Sequence, residues 1–242
     1  MTQMTELGEI WVYLAAEPLL WLTVTLAIFV ASTWLNHRLK GHPLAHPVLI
    51  AMLVLIGLLL LTGTSYDTYF EGAQFIHFLL GPATVALAIP LYDNLRQIRR
   101  LLLPLLFACL LGVTVAVSSA VGLAWLAGGR DQTLLSIAPK SVTTPIAMGI
   151  AEQIGGLPSL AAGIVLLTGA VGAMAAGPLF RLAGIRDERA QGFALGIAAH
   201  GFGTAHALTI GLRAGAFAGL GLGMAGLLTA FLLPLAVRLL AG

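Results

Sequence analysis

Few residues of this chain can do chemistry in a protein that is otherwise lipid-soluble, and they gather in two stretches. The first is Pro139-Lys-Ser-Val-Thr-Thr-Pro145. Two prolines bar an unbroken helix there, because each removes a backbone donor and clashes with the preceding turn. Lys140 lies between apolar flanks, where insertion costs about 2.5–3.5 kcal/mol and usually serves a purpose; the competing reading has its chain snorkelling to water. Thr143-Thr144-Pro145 has the pattern of a half-helix start, a hydroxyl cap followed by proline at the first position. The second stretch is Ala199-His-Gly-Phe-Gly-Thr-Ala-His206, where Gly201 and Gly203 lead into a second such start at Thr204.

Free amides at helix starts carry partial positive charge and bind carboxylates or phosphates. Two starts facing each other beside Lys140 and Ser141 would make an anion site. The alternative is that the hydroxyls only satisfy backbone groups freed at the breaks. His200 and His206 are six apart, which suits no zinc pair on one helix face. Either could respond to protons near physiological pH or be a hydrogen-bonded structural histidine. His42 and His46 are four apart, but Pro43 and Pro47 argue against a helical ligand face. No metal site and no cofactor is expected. The absence of GxSxG, HExxH, Walker and Rossmann patterns in suitable contexts argues against an enzyme.

The composition says what must position these residues. Of 242 residues, 59% are hydrophobic and 9% charged, with a mean hydropathy of +0.98. Soluble domains carry roughly 25% charged residues, so the chain reads as an all-α integral membrane protein. The net charge of +2 comes from loops and implies no nucleic-acid surface. The single cysteine, Cys109, sits in an apolar run and offers no disulfide. The N-terminus has no basic region and carries Glu6, Glu9 and Glu17, so its first span is expected to be retained.

About eight hydrophobic segments follow within a single transmembrane domain, 1–242. Residues 1–17 form an interfacial turn with Trp11 and Tyr13. Span 1 runs from Pro18 to Leu35 with Trp21 and Trp34 as interface aromatics, and span 2 from Pro47 to Thr62. Residues 64–92 are amphipathic and break at Gly81-Pro82; Thr84 and Asn94 are secondary site candidates. Span 4 covers Leu101 to Leu126, span 6 Leu157 to Leu182 and span 8 Ala214 to Leu240. Residues 131–156 and 187–211 are the second and third broken segments. Span 8 repeats glycine at Gly215, Gly219 and Gly223, the spacing of close helix packing in lipid.

The basic loops at 36–46, 92–100 and 181–189 are expected in the cytoplasm, with the N-terminus outside. That requires residues 131–156 to enter and leave on one side, as a re-entrant segment. Residues 131–184 lie over 187–242 with small gaps, Thr144 meeting Thr204 and Ile150 meeting Ile210. Residues 1–130 then act as a scaffold, and 131–186 and 187–242 as inverted repeats of the transporter kind. Fully crossing, unwound segments are the alternative.

Three runs carry a family resemblance: Pro139-Lys-Ser-Val-Thr-Thr-Pro-Ile-Ala-Met148, Gly81-Pro-Ala-Thr-Val-Ala-Leu-Ala-Ile-Pro-Leu-Tyr92 and His200-Gly-Phe-Gly-Thr-Ala-His206. Over roughly residues 45–240 the chain resembles the LrgB/CidB family of antiholin-like proteins, regulators of murein hydrolase export and cell lysis. Related proteins include pyruvate-uptake components and the plant plastidial glycolate/glycerate translocator, whose C-terminal half this chain resembles. The resemblance implies a bacterial-type inner membrane and a small LrgA/CidA-like partner. It also implies one of two functions: a secondary transporter of small monocarboxylates, with His200 or His206 as proton-coupling candidates and a homodimer as the working unit, or a non-transporting regulator of a holin-like partner. In the first, Lys140, Ser141, Thr143, Thr144, Gly201, Gly203 and Thr204 would bind the carboxylate. Phe202 and Ala199 depart from the smaller or more polar residues of many members.

Overall fold

The computed structural model describes residues 18–39, 45, 47–86 and 88–241, less the side chains of 18, 77, 80, 81, 83, 84, 86, 88, 90, 91, 240 and 241. The N-terminal turn, His42, His46 and the side chain of Thr84 therefore lie outside the described residues. The described residues form helices joined by turns and short irregular links, with no strand among them, and the chain packs as two compact units, Met1–Ala86 and Leu87–Gly242.

In the first unit, α1 (Pro18–Arg38) packs on α2 (Pro47–Thr62) and α3 (Tyr66–Ala86). Trp21 is fully buried, edge-on to Tyr69 with ring centroids 5.7 Å apart. It is therefore a helix-packing residue, not the interface aromatic expected. Trp34 remains exposed with the Arg38 guanidinium 4.8 Å above its ring. The expected break at Gly81-Pro82 is also absent. Helix α3 runs through Pro82, since a proline deletes one donor and a helix in an apolar setting tolerates that loss when neighbours compensate.

The second unit begins with two short helices, α4 (Ala88–Asp93) and α5 (Leu95–Arg100), and Asn94 is the N-cap of α5. Arg96, Arg99 and Arg100 thus stand on a helical turn where a loop was expected. Then come α6 (Leu102–Leu126), α7 (Asp131–Ile137), α8 (Thr144–Ile154), α9 (Pro158–Leu182), α10 (Glu188–Ile210) and α11 (Leu212–Ala241). Helix α6 joins a buried cluster through Leu105, Cys109 and Val113, which meet Phe193, Ile197 and Phe217 of α10 and α11. That packing ties α6 to the C-terminal unit.

By length and composition, five of the described helices could cross a membrane: 19–38, 102–126, 158–182, 188–210 and 212–239. The chain is a multi-pass, all-α membrane protein. Of these five helices, α10 does not run straight. Its backbone leaves helical geometry at Ala199 (φ −131°, ψ 17°) and His200 (φ 41°, ψ −126°). A straight helix over this length would separate its ends by about 33 Å at 1.5 Å per residue. Instead, a Cβ built on Gly211 would lie 3.3 Å from the Glu188 carboxylate, and one on Gly203 would lie 2.1 Å from the Leu195 carbonyl oxygen. Start and end of α10 are neighbours, so α10 is a helical hairpin with its tip at Ala199-His200.

Residues 136–157 form a second closed loop. The Leu157 amide donates to Ser136 Oγ at 2.7 Å, and that hydroxyl donates to Gln132 O at 2.6 Å. Gly156 packs directly on the Ser136 backbone. Between these pinned ends the chain runs out through turns at 138–142 and returns along α8. This loop, hairpin A, opens at the start of α9; the α10 hairpin, hairpin B, opens just beyond the end of α9. With 25 residues, α9 is about 37 Å long, enough to cross a hydrocarbon core of about 30 Å. The hairpins therefore enter alongside it from opposite ends.

Candidate functional site

Both tips converge on one residue of α9. In hairpin A, Ala138 and Val142 share a buried cluster with Val165, joined by Ala147, Ile150 and Leu233. In hairpin B, the His200 ring nitrogen Nε2 pairs with the Val165 carbonyl at 3.0 Å. A Cβ on Gly169 would sit 2.7 Å from the His200 ring and 2.8 Å from the Phe202 ring, and one on Gly172 would sit 2.7 Å from Ala199 Cβ. The glycine face of α9 is thus a seat for the tip of hairpin B.

Lys140 is half-buried at the tip of hairpin A, with Nζ donating to Ser141 Oγ at 3.3 Å. It lies within electrostatic reach of His200. The backbone around it is turn rather than helix, with Lys140 N–H bonded to Ile137 O and Val142 N–H to Pro139 O. Pro139 is fully buried and fixes the turn from inside, so the polar part of the tip faces away from the core.

The two half-helix starts differ from expectation. Thr143 is the N-cap of α8, but its hydroxyl makes no cap bond, and proline occupies the second helical position rather than the first. Its hydroxyl is left for another partner. In hairpin B no cap forms, because the helix resumes directly after His200 and Thr204 is inside it. Its hydroxyl is buried and donates to His200 O at 2.9 Å, a backbone carbonyl at the reversal.

The reversal in hairpin B falls on His200, at a positive φ that side chains rarely adopt. Gly203 is needed because the returning limb touches the outgoing one at Leu195, whereas Gly201 faces open space. Such strain persists only where surroundings over-determine it and clusters at functional sites. His206 is on the returning limb, away from the tip, in a cavity with Arg181 and Arg186. Asn94 is bound up in the short helices 88–100, accepting at its carbonyl from Gln97 and Ile98 N–H. Among the described residues, no group of three metal-ligating side chains occurs.

Sequence reasoning missed Ser136, Val165 and the seat on α9. Gly169 and Gly172, three apart on α9, are the signal that could have found the seat. The glycines of α11 divide as well: Gly215 packs against Leu208, while Gly219 and Gly223 have no neighbour within 4 Å.

The chain matches the family model described as LrgB-like over residues 25–239. It is 29% identical over 223 residues to a protein of Staphylococcus epidermidis named holin-like protein CidB, covering 92% of this chain and 97% of that one. It is 37% identical over 217 residues to the Bacillus subtilis protein YxaC, covering 89% and 94%. The Staphylococcus aureus holin-like protein CidB is 27% identical over 223 residues, covering 92% and 97%. No solved structure matches.

Proposed function

The chain belongs to the LrgB-like family, and from that premise we propose that it is a secondary transporter of small monocarboxylates in a bacterial inner membrane. The observation that carries this reading is the convergence of two oppositely entering hairpins on Val165, with Lys140 at one tip and His200 at the other. Hairpin plus long helix occurs twice, at 131–182 and 188–241, which supports inverted repeats with a site between their broken segments. Non-helical backbone at membrane depth is tolerated where it is buried or lines a wet cavity, and the 138–143 turn is of that kind. Lys140 supplies charge to a carboxylate, Ser141 and the uncapped Thr143 supply hydroxyls, and the start of α8 at Thr144 supplies amides. The open space at Gly201 leaves room on the other side. Thr204 supports the turn of hairpin B, and His200 is the candidate for proton coupling.

In this reading α6 and α9 cross and residues 136–157, which close on themselves, do not, so that Arg100 and Arg181 share the cytoplasmic side. Uptake of labelled glycolate, glycerate and pyruvate into proteoliposomes tests the reading. Lys140→Ala is expected to abolish uptake while leaving the protein folded; normal uptake by this variant would remove Lys140 from the site.

The relatives' names, holin-like protein CidB among them, favour a second reading, in which the chain is a membrane regulator paired with a small LrgA/CidA-like subunit. Wild-type protein that binds such a subunit, but transports and binds no small carboxylate, would establish that reading over the first. Neither role is enzymatic.

A further inference from the structure

A cavity of about 400 Å³ opens where α9 ends and hairpin B returns. Its wall on α9 includes Gly177, Phe180 and Arg181; Arg186 and Gln191 come from the turn and the outgoing limb, and His206 from the returning limb. Gln191 holds the turn in place by donating to Ile185 O at 2.7 Å. No acidic side chain is among the described residues lining it. The nearest carboxylate in sequence, Asp187, is taken up by Arg189, whose Nε donates to both its oxygens at 2.9 and 3.0 Å. The lining is therefore cationic, and the Glu188 carboxylate stands beyond it, against Gly211 next to Ile210.

Its position links it to the hairpin tips. On α9, residues 169, 173, 177 and 181 are four apart and form one stripe. On the returning limb, 202, 206 and 210 do the same. The stripes touch at the tip, where Phe202 abuts Gly169, and both line the cavity at the other end. Phe202, edge-on to His200 with ring centroids 6.0 Å apart, stands at the tip end of these stripes.

We infer that this cavity is an anion site on the cytoplasmic side of the transport reading, a vestibule in which Arg181 and Arg186 hold the small carboxylate as it passes Phe202 between the tips and the cytoplasm. The inference rests on the transport reading above and assigns its cytoplasmic mouth. A mouth of one charge sign with apolar walls concentrates the oppositely charged solute and raises its arrival rate.

Two measurements test it, and only one requires transport. In proteoliposomes at low ionic strength, Arg181→Gln combined with Arg186→Gln is expected to raise KM for glycolate about tenfold with little change in maximal rate. The double lysine variant is expected to restore KM. Separately, Ile185→Cys places a thiol on the cavity wall of a protein whose own Cys109 is fully buried. Glycolate is expected to slow its labelling by a thiol reagent, and the double glutamine change is expected to abolish that protection. Transport with unchanged KM and no protection overturns the vestibule and leaves the transport reading standing. Protection without any transport overturns that reading and leaves the cavity as a carboxylate site. Labelling that slows in phosphatidylglycerol nanodiscs but not in phosphatidylcholine, and ignores glycolate, makes it a lipid-headgroup site and overturns the inference.

Discussion

Hairpins A and B solve the same problem, reversing a chain beside α9, by opposite means. Hairpin A gives up the helix: six residues, 138–143, are turn or extended, and its ends are clasped by one serine hydroxyl. Hairpin B keeps helical hydrogen bonding up to the tip and concentrates the reversal in Ala199 and His200, with its limbs pressed together at Gly203. The first leaves polar backbone and a lysine available to a ligand; the second leaves almost nothing unsatisfied. Under the proposed function, binding chemistry would fall to hairpin A, with hairpin B as its counterpart seated on α9.

The contrast is broken most severely at Gly203. Gly203→Val drives a side chain into the Leu195 carbonyl, and overpacking of this kind costs about 1–3 kcal/mol or more. Thermal unfolding in detergent should show loss of a folded protein, while Gly201→Ala, with open space beside it, melts like wild type. In hairpin A the matching weak point is Ser136. Ser136→Ala removes the bond that joins 136 to 157 and leaves the part-buried Leu157 amide without its acceptor, a loss of about 1 kcal/mol or more. Its amide exchange should accelerate across 136–157 and leave 188–211 unchanged. If both hairpins loosen together, they are not separate devices.

A smaller effect separates strain from contact at the tip of hairpin B. His200→Gly relieves a positive φ, worth on the order of 1–3 kcal/mol, and loses the bond to Val165, worth about 1 kcal/mol. His200→Ala loses the bond and keeps the strain. The glycine variant should therefore melt above the alanine variant, and the reverse order would mean the backbone is unstrained. The smallest effect is at the mouth of hairpin B. Arg189 holds the Asp187 carboxyl down at about 2 through side-chain and backbone hydrogen bonds. A lowered folded-state value means the contribution is complete above the ordinary carboxylate range and is lost as pH falls towards 2. Asp187→Asn should flatten the acid limb of stability against pH in that window, by little, since the pair is largely exposed.

The long elements were legible in the residues. The bounds Pro47 to Thr62, Leu102 to Leu126 and Pro158 to Leu182 follow from apolar runs ended by prolines, glycines and charges. The break at 139–145 was legible because two prolines and a lysine cannot join a buried straight helix. The break at Gly81-Pro82 was expected on the same grounds and did not form, because one proline removes one bond and α3 absorbs it. In hairpin B the glycines pointed to flexibility, yet the residue at the reversal is His200. Which residue bends is decided by the two limbs being forced together, and that force is tertiary.

By itself, then, the sequence determined an apolar, multi-pass helical chain with charges confined to its ends and turns, and two stretches that depart from that rule. Burial energy and backbone satisfaction are local properties of composition, so they can be read residue by residue. Only the tertiary structure decided that both departures meet at Val165, that Ser136 clasps one loop shut, and that Arg181, Arg186 and His206 share a cavity. Those relations join residues 20 to 60 positions apart through the seat on α9, and one-dimensional spacing holds no record of which faces of two helices come into contact.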